Sequence, residues 1–275
     1  MGRRIVIKIL FNSLGEVFLA DCNYTDKNYW NSKLAFFPDL HTNCEKFTIW
    51  QVEQGFSQLA VNTSQHKIYL PNRITEHELC YTMRVVIDSI QLLQSRLPFH
   101  AAAVSKGTKQ YFLFANSNAG KSRIADLLCN IDDSFRLIGD DHIYVLNGRI
   151  QGNAFRRIRD ATGDDVKYLA NSQSATGSES MGFCFIPSKI EQFEKSISPA
   201  KWFNLLHSAS AIKYTCSRFY IQSKQYSAKS LFNCSFSDIY EKALPGAFKK
   251  LVLISGSHDF AANCIRKYSD YSNNS

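Results

Sequence analysis

Tyr111-Phe112-Leu113-Phe114-Ala115-Asn116-Ser117-Asn118-Ala119-Gly120-Lys121-Ser122 passes from an apolar run into a loop of small polar residues, and Ile124, Leu127 and Leu128 follow at helical spacing. Residues 115–122 fit the phosphate-binding pattern G-x-x-x-x-G-K-S/T, with Ala115 standing where the first glycine belongs. The chemistry explains the pattern. A loop held in successive turns aims several backbone N–H groups at one point, and the next helix adds its own unpaired N–H groups, so an anion is cradled there. Gly120 lets the backbone come close to phosphate, Lys121 brings a fixed positive charge to the β- and γ-phosphates, and the Ser122 hydroxyl is a natural Mg²⁺ ligand. Ala115 predicts some loss of loop freedom, because alanine disfavours φ > 0. A Gly-Lys-Ser tripeptide also arises by chance in strand–helix turns; the apolar strand before it and the helix after it supply the confirming context.

The flanking residues extend this site. His100-Ala101-Ala102-Ala103-Val104 is a second apolar run, joined to 111–114 by the turn-rich Ser105–Gln110, which predicts a hairpin. A further strand over Phe135–Ile138 leads into Gly139-Asp140-Asp141-His142, nineteen residues beyond Lys121. Adjacent carboxylates at a strand end are costly unless cations or hydrogen bonds compensate them. One can serve Mg²⁺, directly or through water, while the other accepts a proton from an attacking hydroxyl. A solvated turn is the plain alternative. His100 would lie near the carboxylates if the two strands are neighbours.

Further out, residues 1–73 read as short strands: Ile5–Phe11, Val17–Ala20, Phe47–Val52, Gln58–Asn62 and Lys67–Leu70. Thr75, followed by Glu76 and Glu78, starts an amphipathic helix carrying Leu79, Met83, Val86, Ile90 and Leu93. Ile143–Leu146 with Asn147-Gly148 makes a strand and tight turn. Asn171–Gly182 is a long Ser/Gly/Asn-rich loop. Pro199–Leu206 and Ser237–Leu244 read as helices, and Ser217–Ile221 and Leu251–Ile254 as strands. The organisation expected is a β-rich segment, 1–75, and a larger α/β domain, 76–275.

The chain has 275 residues, 45% hydrophobic and 20% charged, which excludes a wholly disordered or collagen-like protein. No apolar stretch approaches the length of a spanning helix, and the start is read as a strand and not a signal, so a soluble, cytoplasmic protein is expected. The cysteines are 22, 44, 80, 129, 184, 216, 234 and 264, without C-x-x-C; they fit buried small hydrophobes better than a disulfide framework. The pairs His41/Cys44 and His77/Cys80 lack the partners of a zinc site. Of the net charge of +8, most lies from Lys189 to Ser275, where 12 Lys+Arg face 6 Asp+Glu. That is a solvated basic face or one that draws an anionic partner. No nucleic-acid motif accompanies it.

The ordered set of His100 strand, loop 116–122 and Leu137-Ile138-Gly139-Asp140-Asp141-His142-Ile143 resembles the catalytic core of HPr kinase/phosphorylase. It resembles still more the HPr-kinase-related proteins found beside peptide-tailoring genes, including lasso-peptide kinases. The nucleotide-binding core of phosphoenolpyruvate carboxykinase is a more distant likeness. The resemblance covers about residues 80–155. It implies a mixed α/β phosphate-loop kinase core using ATP and Mg²⁺, with a peptide or protein substrate carrying an acceptor serine, no membrane partner, and assembly into a homo-oligomer. Residue by residue, it implies Asp140 as general base, Asp141 with Ser122 at the metal, His100 positioning phosphate or Asp140, and Lys121 on the phosphates. Asn116, Ser117, Asn118, Ala119, Gly120, Lys121, Ser122 and Arg123 would bind the nucleotide. Ala115 and Asn118 depart from the family's glycines. Glu179 is the candidate for a later Mg²⁺-binding glutamate, and Arg156, Arg157 and Arg159 are candidates for the transferred phosphate or plain solvated charge. A kinase of free serine or a similar alcohol, and a nucleotide-binding module without transfer, are the alternatives.

Overall fold

A computed structural model describes residues 7–13, 16–22, 48–140, 142–152, 155–160, 163–168, 179–208 and 218–270. Two compact units form: Met1–Ile90 with Thr215–Ser235, and Gln91–Tyr214 with Phe236–Ser275.

In the first unit, β1 (Ile7–Ser13), β2 (Glu16–Cys22), β3 (Thr48–Phe56), β4 (Ala60–Asn62) and β5 (Lys67–Pro71) form a sheet of order β1-β2-β3-β5-β4. Its strands fall where the β-branched and aromatic runs place them. Helix α1 (Glu76–Leu93) begins in a reciprocal cap, in which Thr75 Oγ1 accepts the Glu78 N–H and the Glu78 carboxylate accepts the Thr75 N–H. That cap holds the Glu78 carboxyl below its usual range, the Thr75 backbone donor being the main cause.

The second unit carries the phosphate motif. Its elements are β6 (Leu97–Phe99), β7 (Ala102–Lys106), β8 (Lys109–Ala115), α2 (Lys121–Ile131), β9 (Phe135–Gly139), β10 (Ile143–Leu146), β11 (Arg149–Gly152), β12 (Phe155–Asp160), β13 (Gly163–Tyr168), β14 (Glu179–Pro187), β15 (Phe193–Ser196), α3 (Pro199–Ser208), and, after β16 (Arg218–Ile221), β17 (Lys224–Ser227) and α4 (Ala228–Phe232) of the first unit, α5 (Phe236–Ala247), β18 (Lys250–Gly256) and α6 (His258–Asp270). The main sheet runs β15-β18-β14-β8-β7-β9, with β8, β14 and β18 parallel. The fold is mixed α/β, as expected.

Alternation along the parallel strands builds two cores. Tyr111, Leu113, Phe183, Phe185, Val252 and Ile254 face one way and pack with Ile124 and Leu128 of α2 and Ala261 and Ile265 of α6. Phe112 and Phe114 face the other way and meet the fully buried Trp202 of α3. Gly182 of β14 is required there, since a Cβ would lie 2.6 Å from the Trp202 ring. Gln110 replaces a missing strand contact: its side-chain amide donates to the Ile150 carbonyl (3.2 Å) and accepts the Ile150 N–H (2.7 Å).

Two details differ from expectation. The hairpin between β7 and β8 closes over Gly107-Thr108 alone, because both strands extend to their lysines, Lys106 and Lys109. Asn147 and Gly148 both take positive φ, the tight turn expected there. The Ser/Gly/Asn-rich stretch ends earlier than its composition indicates: Met181 and Gly182 belong to β14, and residues 169–178 lie outside the described part. Cys184 and Cys264 are buried, and burial pushes both thiols up to about 12. Among the described residues no helix is long and apolar enough to cross a membrane.

Lys106, at the end of β7, ties three elements together. Its ammonium meets Asp132 and Asp270 at 2.9 Å each and lies 5.1 Å from the Phe135 ring centroid. Asp132 also accepts from the Ser134 side chain and N–H; these bonds, and then Lys106, hold its carboxyl well below the ordinary range.

Candidate active site

The strand-to-helix turn at 115–121 is shaped by two left-handed residues, Asn118 (φ 62) and Gly120 (φ 93). Asparagine tolerates that region better than most side chains, so Asn118 can hold this turn without glycine. Ala115 is not left-handed. It ends β8 in register with Phe185 and is buried, so its substitution for glycine costs the loop no conformational freedom, contrary to expectation. The Ala119 N–H bonds the Asn116 carbonyl at 3.1 Å, closing the turn. Gly120 is the N-cap of α2 and supplies no side-chain cap, and the N-terminus of a helix favours an anion.

Lys121 is buried, 7% exposed, and its Nζ donates to the Ala115 (3.3 Å) and Asn116 (3.4 Å) carbonyls. The ammonium is thereby folded over the loop it would serve. Asn116, Ser117, Asn118 and Arg123 are exposed, Ala119 is buried, and Gly120 and Ser122 are half-buried.

Across from the loop, β9 delivers Asp140. Its carboxylate is 3% exposed and accepts a hydrogen bond from Ser122 Oγ at 2.9 Å. The His142 N–H bonds the Asp140 carbonyl at 2.9 Å, so the chain turns sharply and enters β10. The His142 ring is buried edge-on to Tyr144, with centroids 4.8 Å apart. Asp141 lies outside the described residues.

His100 is half-buried between β6 and β7. β6, which precedes His100, pairs with β10 through Phe99↔Ile143, and β7, which follows it, pairs with β9 through Ala103↔Gly139.

Two other candidates stand apart. Glu179 starts β14 in register with Lys109, whereas the loop begins beyond the Phe185↔Ala115 pair. At ~3.3 Å per residue the two ends are about 20 Å apart, and Glu179 pairs instead with Lys249. The later metal-binding role expected of it is therefore corrected: Glu179 stands at the start of a strand whose other end reaches the loop. Arg156, Arg157 and Arg159 lie on β12, a hairpin with β13, and their side chains are outside the described part.

A residue not singled out from sequence completes the loop's surroundings. His258, the first residue of α6, places its Nε2 3.0 Å from the Ala119 carbonyl oxygen, and its ring packs on Phe185 at 5.4 Å. Gly120 must be glycine beneath it, because a Cβ would lie 2.1 Å from that Nε2. No local signal marks His258. Only the parallel pairing of β14 with both β8 and β18 brings the end of β18 to the same sheet edge as the end of β8.

For Mg²⁺, the fit is favourable: a hydroxyl and a carboxylate, both hard oxygen donors, stand within 2.9 Å of each other beside a helix N-terminus. The loop lies at the carboxyl end of a parallel strand, where open α/β sheets bind ligands.

No protein-family model matches the chain, and no curated protein matches it. Among solved structures, the Hpr(Ser) kinase/phosphatase from Coxiella burnetii is similar over 64% of this chain and 94% of that one, at 11% identity and a TM-score of 0.29. A likeness that weak decides nothing about the site, whose chemistry is read from its own residues.

Proposed function

We propose that the chain is an ATP-dependent phosphotransferase of the HPr-kinase-like kind, moving the γ-phosphoryl group to a serine hydroxyl of a peptide or protein. The observation that carries this is the Ser122–Asp140 hydrogen bond, which joins the phosphate loop's helix to the carboxylate after β9. Loop N–H groups and Lys121 hold the triphosphate. Asp140 takes the acceptor's hydroxyl proton as oxygen bonds to phosphorus and the bond to the leaving ADP oxygen breaks. His100, just before the strand that pairs with β9, orients phosphate or Asp140. Ser122 and Asp141 would hold Mg²⁺, which supplies charge neutralisation on the phosphate oxygens.

The same hydrogen bond favours a second assignment, in which Asp140 is itself the carboxylate on the metal side and Asp141 faces the acceptor. The two differ in what Asp140→Asn removes. A lost base abolishes transfer and spares Mg-nucleotide binding; a lost metal carboxylate weakens that binding as well.

Residues 1–75 and the basic C-terminal third are proposed to recognise the acceptor, within a cytoplasmic protein that binds no nucleic acid. The test is incubation with MgATP and candidate acceptors. Addition of one HPO₃ to a peptide supports the peptide-kinase reading. Addition only to free serine or another small alcohol supports a small-molecule kinase, and binding without consumption supports a nucleotide-dependent module.

A further inference from the structure

His258 stands on the phosphate loop from an element remote in sequence, and the contact is specific. One imidazole nitrogen meets one backbone carbonyl, that of Ala119, at 3.0 Å. Carbonyl oxygen has no proton to give, so Nε2 must be the donor. The ring is fixed from two sides, by Phe185 below and by the bare Cα of Gly120, which leaves room for no Cβ. Its own backbone is fixed too. Gly256 (φ 151) turns the chain out of β18, Ser257 Oγ accepts the Phe260 N–H at 3.1 Å, and α6 starts at His258.

The consequence follows from peptide geometry. The Ala119–Gly120 peptide is trans and planar, so its C=O and N–H point in opposite directions. Holding the carbonyl toward α6 turns the Gly120 N–H away from α6, toward the anion side of the loop. Gly120, being left-handed and without a side chain, is the residue freest to rotate that peptide.

We infer that His258 is a positioning residue for the phosphate loop: its Nε2–H holds the Ala119 carbonyl and so aims the Gly120 N–H at the bound phosphate. This rests on the reading of 115–122 as a phosphate site. It adds to that reading a donor preorganised by the last helix of the unit, so that the loop need not reorder when the ligand arrives.

The test compares the full chain with His258→Leu, which keeps apolar bulk against Phe185 and removes the donor, and His258→Gln, which keeps an N–H donor. Two quantities are read: affinity for magnesium tripolyphosphate, and the ¹H–¹⁵N chemical shift of the Gly120 amide in the ligand-free protein. The expected result is about a tenfold loss of affinity in the leucine variant and recovery to within about threefold in the glutamine variant, as for one oriented hydrogen bond. The Gly120 resonance should move in the leucine variant and return toward its wild-type position in the glutamine variant, with thermal melting unchanged between the two. Equal affinities in wild type and leucine variant, equal losses in both variants, or a Gly120 resonance that does not move would overturn the inference. If wild type itself ignores tripolyphosphate, the phosphate-site reading falls, and the chemical-shift comparison alone decides whether His258 orients this peptide.

Discussion

The Ser122 hydroxyl donates to the Asp140 carboxylate at 2.9 Å, linking the first turn of α2 to the residue after β9. Ser122→Ala leaves a buried carboxylate short of a donor, a change that costs about 1–3 kcal/mol in comparable settings. Thermal unfolding should register that loss. The Mg²⁺-dependent part of nucleotide affinity should fall about tenfold or more with the lost oxygen ligand, while binding in EDTA changes little. A magnesium dependence equal to wild type would remove Ser122 from the metal site.

Asp140→Asn keeps shape and an acceptor oxygen but cannot take a proton. Phosphoryl transfer should be abolished while MgATP binding, measured by calorimetry, survives. Transfer near the wild-type rate would refute Asp140 as base, and loss of binding together with transfer would place Asp140 on the metal instead.

Gly120→Ala is penalised twice. A left-handed backbone costs a residue with Cβ about 1–2 kcal/mol, and here that Cβ would sit 2.1 Å from His258 Nε2. The variant should be less stable and should lose nucleotide binding, since His258 or the loop must move. Gly107→Ala, with φ 59 and nothing within 4 Å of its Cβ, is the control that isolates the backbone cost.

The Lys106 knot predicts a pH signature. Asp132 and Asp270 are both held below the usual carboxylate range, Asp132 chiefly by Ser134 and then Lys106, Asp270 chiefly by Lys106. A depressed acid contributes stability above its unfolded pKa of about 3.9 and loses it as pH falls toward the folded value. Lys106 is itself raised, mainly by Asp132, so its share persists through neutral pH and is lost only at strongly alkaline pH. Lys106→Met should therefore cost about 0.5–1 kcal/mol at pH 7, a partly exposed pair being well screened. In denaturant titrations that gap should close below about pH 4. A gap independent of pH would mean Lys106 acts by packing on Phe135 alone.

Much of this was legible in the chain. The alternating aromatics of 111–114, the glycine–lysine–serine turn and the acidic strand end are local signals, and local signals survive translation into structure. The effect of Ala115 was misjudged because pattern matching assigns conformations by position. Here the left-handed burden falls on Asn118 and Gly120, and Ala115 is ordinary strand. Glu179 was misplaced for a related reason: composition marks a loop, whereas pairing with β8 makes that residue the far end of a strand. His258 carries no motif, and its place depends on two parallel crossovers that no spacing reveals. The return of residues 215–235 to the first unit is likewise a property of long-range packing.

The most direct measurement is calorimetric titration of MgATP into the wild-type chain and into Lys121→Ala. Saturable binding by wild type that the variant loses, with both proteins folded by circular dichroism, is the predicted result. Wild type that binds no magnesium nucleotide, or a variant that binds as tightly as wild type, would contradict the assignment of 115–122 as the seat of phosphate chemistry.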